Sequence, residues 1–176
     1  MERGNVMIKV FLRSLLKPLS FIPALCMMVL IYSFSSEDGA SSSAFTYKIS
    51  VMAVEAADTV LDLDFTEEQV EYYAGRFHRL IRKCGHFLEF FLLAVTVAFP
   101  LYVYGVRGIP LMLLAGFICV GFACLDEYHQ SFVSGRVASR RDVMIDSMGI
   151  FTGIILTRMV CWFGRKTIFR PLCDRE

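Results

Sequence analysis

The sequence lacks a surplus of charge: 18 Lys and Arg stand against 17 Asp and Glu, a net of +1. It also has no basic stripe interleaved with aromatics, so nothing points to nucleic acid as a partner. Six cysteines (Cys26, Cys84, Cys119, Cys124, Cys161 and Cys173) show neither metal-finger spacing nor a compact disulfide framework. Four of them sit inside apolar runs and read as small buried hydrophobes. No His-Glu-x-x-His pattern occurs, so no metal and no other cofactor is expected. No serine, threonine or cysteine has an evident partner base, which argues against covalent catalysis. Nor is there the internal repeat typical of secondary carriers.

What the chain has in excess is apolar surface. It is 56% hydrophobic with a mean hydropathy of +0.55 over 176 residues, more than a soluble domain of this size needs for its core. Crossing the hydrocarbon takes about 20 mostly apolar residues per helix. Four segments answer to that, over about 19–34, 87–104, 109–125 and 143–163. The first could begin earlier, through Val10 to Leu16. Its basic flank of Lys9, Arg13 and Lys17 also suits a signal peptide, but no Ala-x-Ala site follows, and it reads as a retained helix. The expectation is an all-α integral membrane bundle of about four transmembrane helices. Residues 1–18 form a cytoplasmic N-terminal segment, 19–163 the transmembrane domain and 164–176 a basic tail.

The polar link over 35–86 carries helical signals of its own. Ile49, Met52, Ala56, Val60 and Leu63 recur at helical spacing, and Val70, Tyr73, Phe77, Leu80 and Cys84 form a second stripe. Thr66-Glu67-Glu68-Gln69 is a capping box ahead of that second stripe. One or two amphipathic helices are therefore expected in this link, lying on the membrane surface or continuing into the second span. Four spans put both termini on one side, where nine Lys and Arg face eight on the other. That count leans toward cytoplasmic termini in a plasma-membrane protein.

Ionisable residues gather at three span ends. A charge at mid-bilayer costs about 2.5–3.5 kcal/mol on insertion scales, so such residues need partners, water or a task. Arg79, Arg82, His86 and Glu89 fall within an arc of ~80° on one helix, with Lys83 beside it. Asp126, Glu127, His129 and Gln130 end the third span, and Arg136 follows in the loop. Asp142 and Asp146 share a stripe with Ser139, Gly149 and Gly153, and the Gly-x-x-x-Gly pair suits close helix packing. His86, Glu89, Asp126, Glu127 and His129 form a candidate acid–base cluster. Arg82, Lys83, Gln130, Arg136, Asp142 and Asp146 are candidate binding residues, because guanidinium groups bind phosphate in bidentate fashion. The alternative is an ion-pair and hydrogen-bond network that simply ties three helices together.

Three blocks carry a resemblance. They are Ser33-Phe34-Ser35-Ser36 with Gly39; Arg82-Lys83-x-x-His86-Phe87-x-Glu89-Phe90; and Asp126-Glu127-x-His129-Gln130-x-Phe132-x-x-Gly135-Arg136, followed by Asp142-Val143-x-Ile145-Asp146-x-x-Gly149. Together they resemble the VanZ-like membrane protein family over residues 30 to 155, the third block most specifically. Ser134 stands where many members have proline, and Asp146 where many have asparagine. The resemblance implies a small multi-span envelope protein whose named member is associated with low-level resistance to teicoplanin. Two functions are expected from these readings. One is binding of a membrane lipid or a lipid-linked or anionic envelope component. The other is acid–base catalysis on a lipid or cell-wall precursor.

Overall fold

The computed structural model describes residues 18–167, and within them the chain is all-helical. The N-terminal segment up to Lys17, including the earlier start of the first span, and the tail beyond Thr167, including Cys173, lie outside the described residues. The five helices are α1 (Ile22–Ser35), α2 (Gly39–Leu61), α3 (Glu67–Val103), α4 (Gly108–Gln130) and α5 (Arg140–Thr167).

Local chemistry sets the helix boundaries. Asp38 caps α2, its carboxylate accepting the Ser41 N–H at 2.8 Å. Asp62 ends that helix in the left-handed region at φ 53°. The expected capping box opens α3: the Thr66 hydroxyl accepts the Gln69 N–H at 3.3 Å, and the Gln69 side chain accepts the Thr66 N–H at 2.9 Å. From there α3 runs 37 residues without a break, so the second amphipathic stripe and the second span are one helix. At ~1.5 Å per residue it is about 55 Å long. That is well beyond a hydrocarbon thickness of about 30 Å, so α3 extends past the bilayer core.

Among the described residues, three helices are long and apolar enough to cross a membrane: Glu67–Val103, Gly108–Gln130 and Arg140–Gly164. The expected first span is the apolar but shorter α1, of 14 residues. The chain is therefore an all-α membrane bundle built on three long apolar helices and one shorter one.

At its centre α3 packs against each of the other four helices. Phe90, Leu93, Ala94 and Val97 of α3 meet Leu111, Ala115 and Cys119 of α4, Ile150 and Ile154 of α5, and Ile31 of α1. The closest approach is between α3 and α5. A Cβ on Gly149 would lie 2.3 Å from the Phe87 carbonyl oxygen, and one on Gly153 2.6 Å from that of Phe91. The Gly149-x-x-x-Gly153 pair thus lets two backbones touch within one chain.

The first amphipathic stripe, and the second from Phe77 onward, face the opposite way from a soluble helix. On α2 the buried residues are Thr46, Ser50 and Val54, whereas Met52 is 67% and Val60 81% exposed. On α3 the small Ala74 is buried, and Phe77 and Leu80 are exposed. The hydroxyls of Thr46 and Ser50 bond carbonyls four residues back on their own helix, each at 2.9 Å. With their polar atoms satisfied, these slim residues suit helix contact, and the bulky apolar side chains turn outward.

Candidate functional site

One end of the bundle gathers the C-termini of α1 and α4, the N-termini of α2 and α5, and the middle of α3. Asp126 and Gln130 lie one turn apart on α4 and share its inner face. The Asp126 Oδ2 accepts from the Ser35 hydroxyl at 2.9 Å and from the Gln130 amide at 2.8 Å. The same amide reaches Ser35 Oγ at 3.1 Å, closing a buried triangle between α1 and α4. Asp126 Oδ1 is enclosed without a hydrogen-bond partner among the described residues, as is Asp146 Oδ1 on α5. Glu127 turns the other way and accepts the Ser139 N–H just ahead of α5. The Ser139 hydroxyl in turn accepts the Arg141 N–H at 3.2 Å, satisfying a donor at the start of that helix.

The loop between α4 and α5 is clasped to the corner between α1 and α2. The Gly39 N–H donates to the Ser134 carbonyl at 2.9 Å. Gly135 takes φ +73°, and a Cβ on Gly39 would meet the Gly135 carbonyl oxygen at 2.2 Å, so both glycines are required. The clasp aims Arg136 at the end of α1. Its Nη2 donates to the Phe34 carbonyl at 2.6 Å and its Nε to that of Glu37 at 3.0 Å. These bonds satisfy carbonyls that the helix end leaves open. Burial, and then the neighbouring Arg82 charge, hold the Arg136 guanidinium below its usual pKa, while Asp126, Glu37 and Glu89 oppose the shift.

Beside Arg136 opens a cavity of about 300 Å³ between α2 and α3. Its polar lining includes Glu37, Arg82, His86, Glu89 and Arg136; Phe34, Phe45, Ile49, Ile81 and Leu88 form its apolar wall. His86 Nδ1 lies 3.8 Å from Glu89 Oε2. Arg82 forms no hydrogen bond or ion pair with any described residue, so its guanidinium is available to a ligand.

The family model described as VanZ/LLP1 matches residues 20–162. The chain belongs to the VanZ/LLP1 family. The match takes in α1 through α4 and most of α5, and with them every residue of the cavity. Comparison with curated proteins finds no match, and comparison with solved structures finds none either.

In this VanZ/LLP1 chain the expected site residues divide into separate groups. His86 and Glu89 line the cavity with Arg82 and Arg136. Asp126, Glu127, Gln130 and Asp146 are buried between helices and do not line it. Lys83 is exposed, and Asp142 is half-buried in the first turn of α5. His129 is the candidate furthest in role from the cavity. Its ring stacks on Tyr32 at 4.7 Å, and its Nε2 lies 3.1 Å from Ser36 Oγ. That hydroxyl already donates to the Tyr32 carbonyl at 2.7 Å, so it accepts from the imidazole, and His129 secures the end of α1.

Several participants were not singled out from the sequence. Ser35 bonds Asp126, Glu37 lines the cavity, and Gly39 touches Gly135. Their signal was present in the Ser33–Gly39 block, which carries the family resemblance without disclosing which of its serines turns inward. A second contact, between Ser43 Oγ and His78 Nε2 at 3.2 Å, joins α2 to α3 away from the cavity.

Proposed function

We propose that this VanZ/LLP1-family chain is a multi-pass protein of the bacterial plasma membrane, with cytoplasmic termini, that binds a lipid-linked or anionic envelope component in the cavity between α2 and α3. The observation that carries this reading is Arg82, a guanidinium that lines a cavity, has no partner among the described residues and faces an apolar wall. A cation beside Phe45, Ile49 and Leu88 suits an amphiphile, with the anionic group on Arg82 and the chain along the wall. Sequestering or presenting such a molecule would alter the envelope that glycopeptides such as teicoplanin act on.

The experiment is mass spectrometry of lipids that co-purify with the intact protein. A charge-assisted hydrogen bond contributes about 1.5–3 kcal/mol, so Arg82→Gln should lower retention roughly tenfold or more, with partial recovery in Arg82→Lys. Equal retention in the wild type and in Arg82→Gln would refute the reading.

A second reading, membrane-embedded acid–base catalysis on a lipid or cell-wall precursor, is favoured by His86 and Glu89 lying 3.8 Å apart on the cavity wall. His86 would move the proton, Glu89 orient the ring, and Arg82 hold the substrate's anionic group. This reading requires that His86→Gln abolish turnover of a retained lipid while leaving its retention intact.

A further inference from the structure

The charges on the cavity wall narrow the class of ligand. Arg82 and Arg136 contribute guanidinium groups; Glu37 and Glu89 contribute carboxyl groups. They do not neutralise one another, because no arginine–carboxylate pair forms within 4.0 Å among the described residues. The Arg136 side chain is committed through Nε and Nη2 to carbonyls of the α1 end, and Glu89 has only the longer contact to His86. Arg82, Arg136 and Glu89 are partly buried and Glu37 is exposed at the cavity rim; basic and acidic groups held apart around an open volume suit a ligand that answers both.

From this arrangement we infer that the cavity takes a zwitterionic amphiphile, a lipid whose compact headgroup carries both a phosphate and a primary ammonium. The inference rests on the binding reading above and deepens it. The phosphate sits on Arg82, within reach of the uncommitted Nη1 of Arg136. The ammonium is met by Glu89, with Glu37 as the second carboxylate. A headgroup that is only anionic would satisfy Arg82 but carry its charge toward both carboxylates. A volume of about 300 Å³ lies at the small end of ligand sites, which favours a compact headgroup. Phe45 and Ile49 on α2 and Leu88 on α3 line the cavity and are also exposed, so the apolar wall continues onto the outer surface where an acyl chain would run.

The test is titration of the full-length, detergent-solubilised protein with phosphatidylethanolamine or phosphatidylglycerol of identical acyl chains, read by native mass spectrometry. The wild type should retain phosphatidylethanolamine at least several-fold more strongly. The double variant Glu37→Gln and Glu89→Gln should lose that preference while still binding phosphatidylglycerol. Arg82→Gln should weaken both lipids about tenfold or more, with Arg82→Lys partly restoring them. Monodisperse elution of each variant at the wild-type volume establishes that it is folded. Equal binding of the two lipids, unaffected by the carboxamide substitutions, would overturn the zwitterion inference and leave the anionic reading standing. Binding of neither lipid above the level of Arg82→Gln would overturn both. Soluble O-phosphoethanolamine should compete only weakly; competition as effective as the lipid's would overturn the role of the apolar wall.

Discussion

Substituting Gly149 with alanine tests the packing that brings the cavity wall on α3 against α5, the helix that carries the buried Asp146. The added Cβ would lie 2.3 Å from the Phe87 carbonyl oxygen, and 3.2 Å from both the Phe87 carbonyl carbon and the Phe91 nitrogen. These obstacles are helix backbone and cannot swing aside as a side chain can. Relief requires α3 and α5 to separate by roughly 1 Å, and overpacking of this kind costs about 1–3 kcal/mol. Alanine also favours helix over glycine by about 1 kcal/mol, which partly masks the clash. Gly121 on α4 supplies the control, since a Cβ there meets nothing within 4 Å. Gly121→Ala shares the propensity gain without the collision, so the difference between the two variants isolates the strain. The measurement is reversible unfolding in a defined detergent. Gly149→Ala should be less stable than Gly121→Ala by about 1–3 kcal/mol. If the two variants unfold alike, α3 and α5 do not meet backbone to backbone at this point, and the geometry of the site falls with that contact.

Arg136→Lys should free the end of α1, because an ammonium cannot reproduce the forked contacts to the Phe34 and Glu37 carbonyls; a loss of about 1.5–3 kcal/mol in unfolding free energy is expected, and an unchanged value would remove Arg136 from this role. Ser35→Ala and Gln130→Leu each leave the enclosed Asp126 carboxylate short of a donor and should cost about 1–3 kcal/mol, read by the same unfolding assay, whereas wild-type stability in both would show that the triangle contributes nothing. Gly39→Ala should spring the clasp and expose residues 131–139 to limited proteolysis, and protection equal to the wild type would contradict the contact with Gly135. Thr66→Ala removes half of the capping box and should cost about 1 kcal/mol, with hydrogen exchange rising in the first turn of α3 and leaving its Phe90–Val97 stretch unchanged.

The sequence alone determined that this is a helical membrane protein. Runs of apolar residues long enough for hydrocarbon, the capping box at Thr66 and the Gly149–Gly153 pair are local signals, and each is read from neighbours along the chain. It also gathered Arg82, His86 and Glu89 onto one helical arc, because their spacing of three and four is a property of the helix itself. Tertiary structure decided which way the stripes faced. The periodicity of Ile49, Met52 and Val60 marks an amphipathic helix but carries no sign, and in the fold the bulky apolar side is exposed while the slim side, Thr46, Ser50 and Ala74, turns inward. The division of the ionisable residues was equally out of reach. His129 and Arg136 are seven positions apart in the chain, yet one is committed to Ser36 and Tyr32 while the other reaches the cavity, because the partners that separate them come from α1, about a hundred residues earlier. Spacing along the chain sets what a helix presents; only the contacts between distant helices decide which of those groups is left unpaired and open to a ligand.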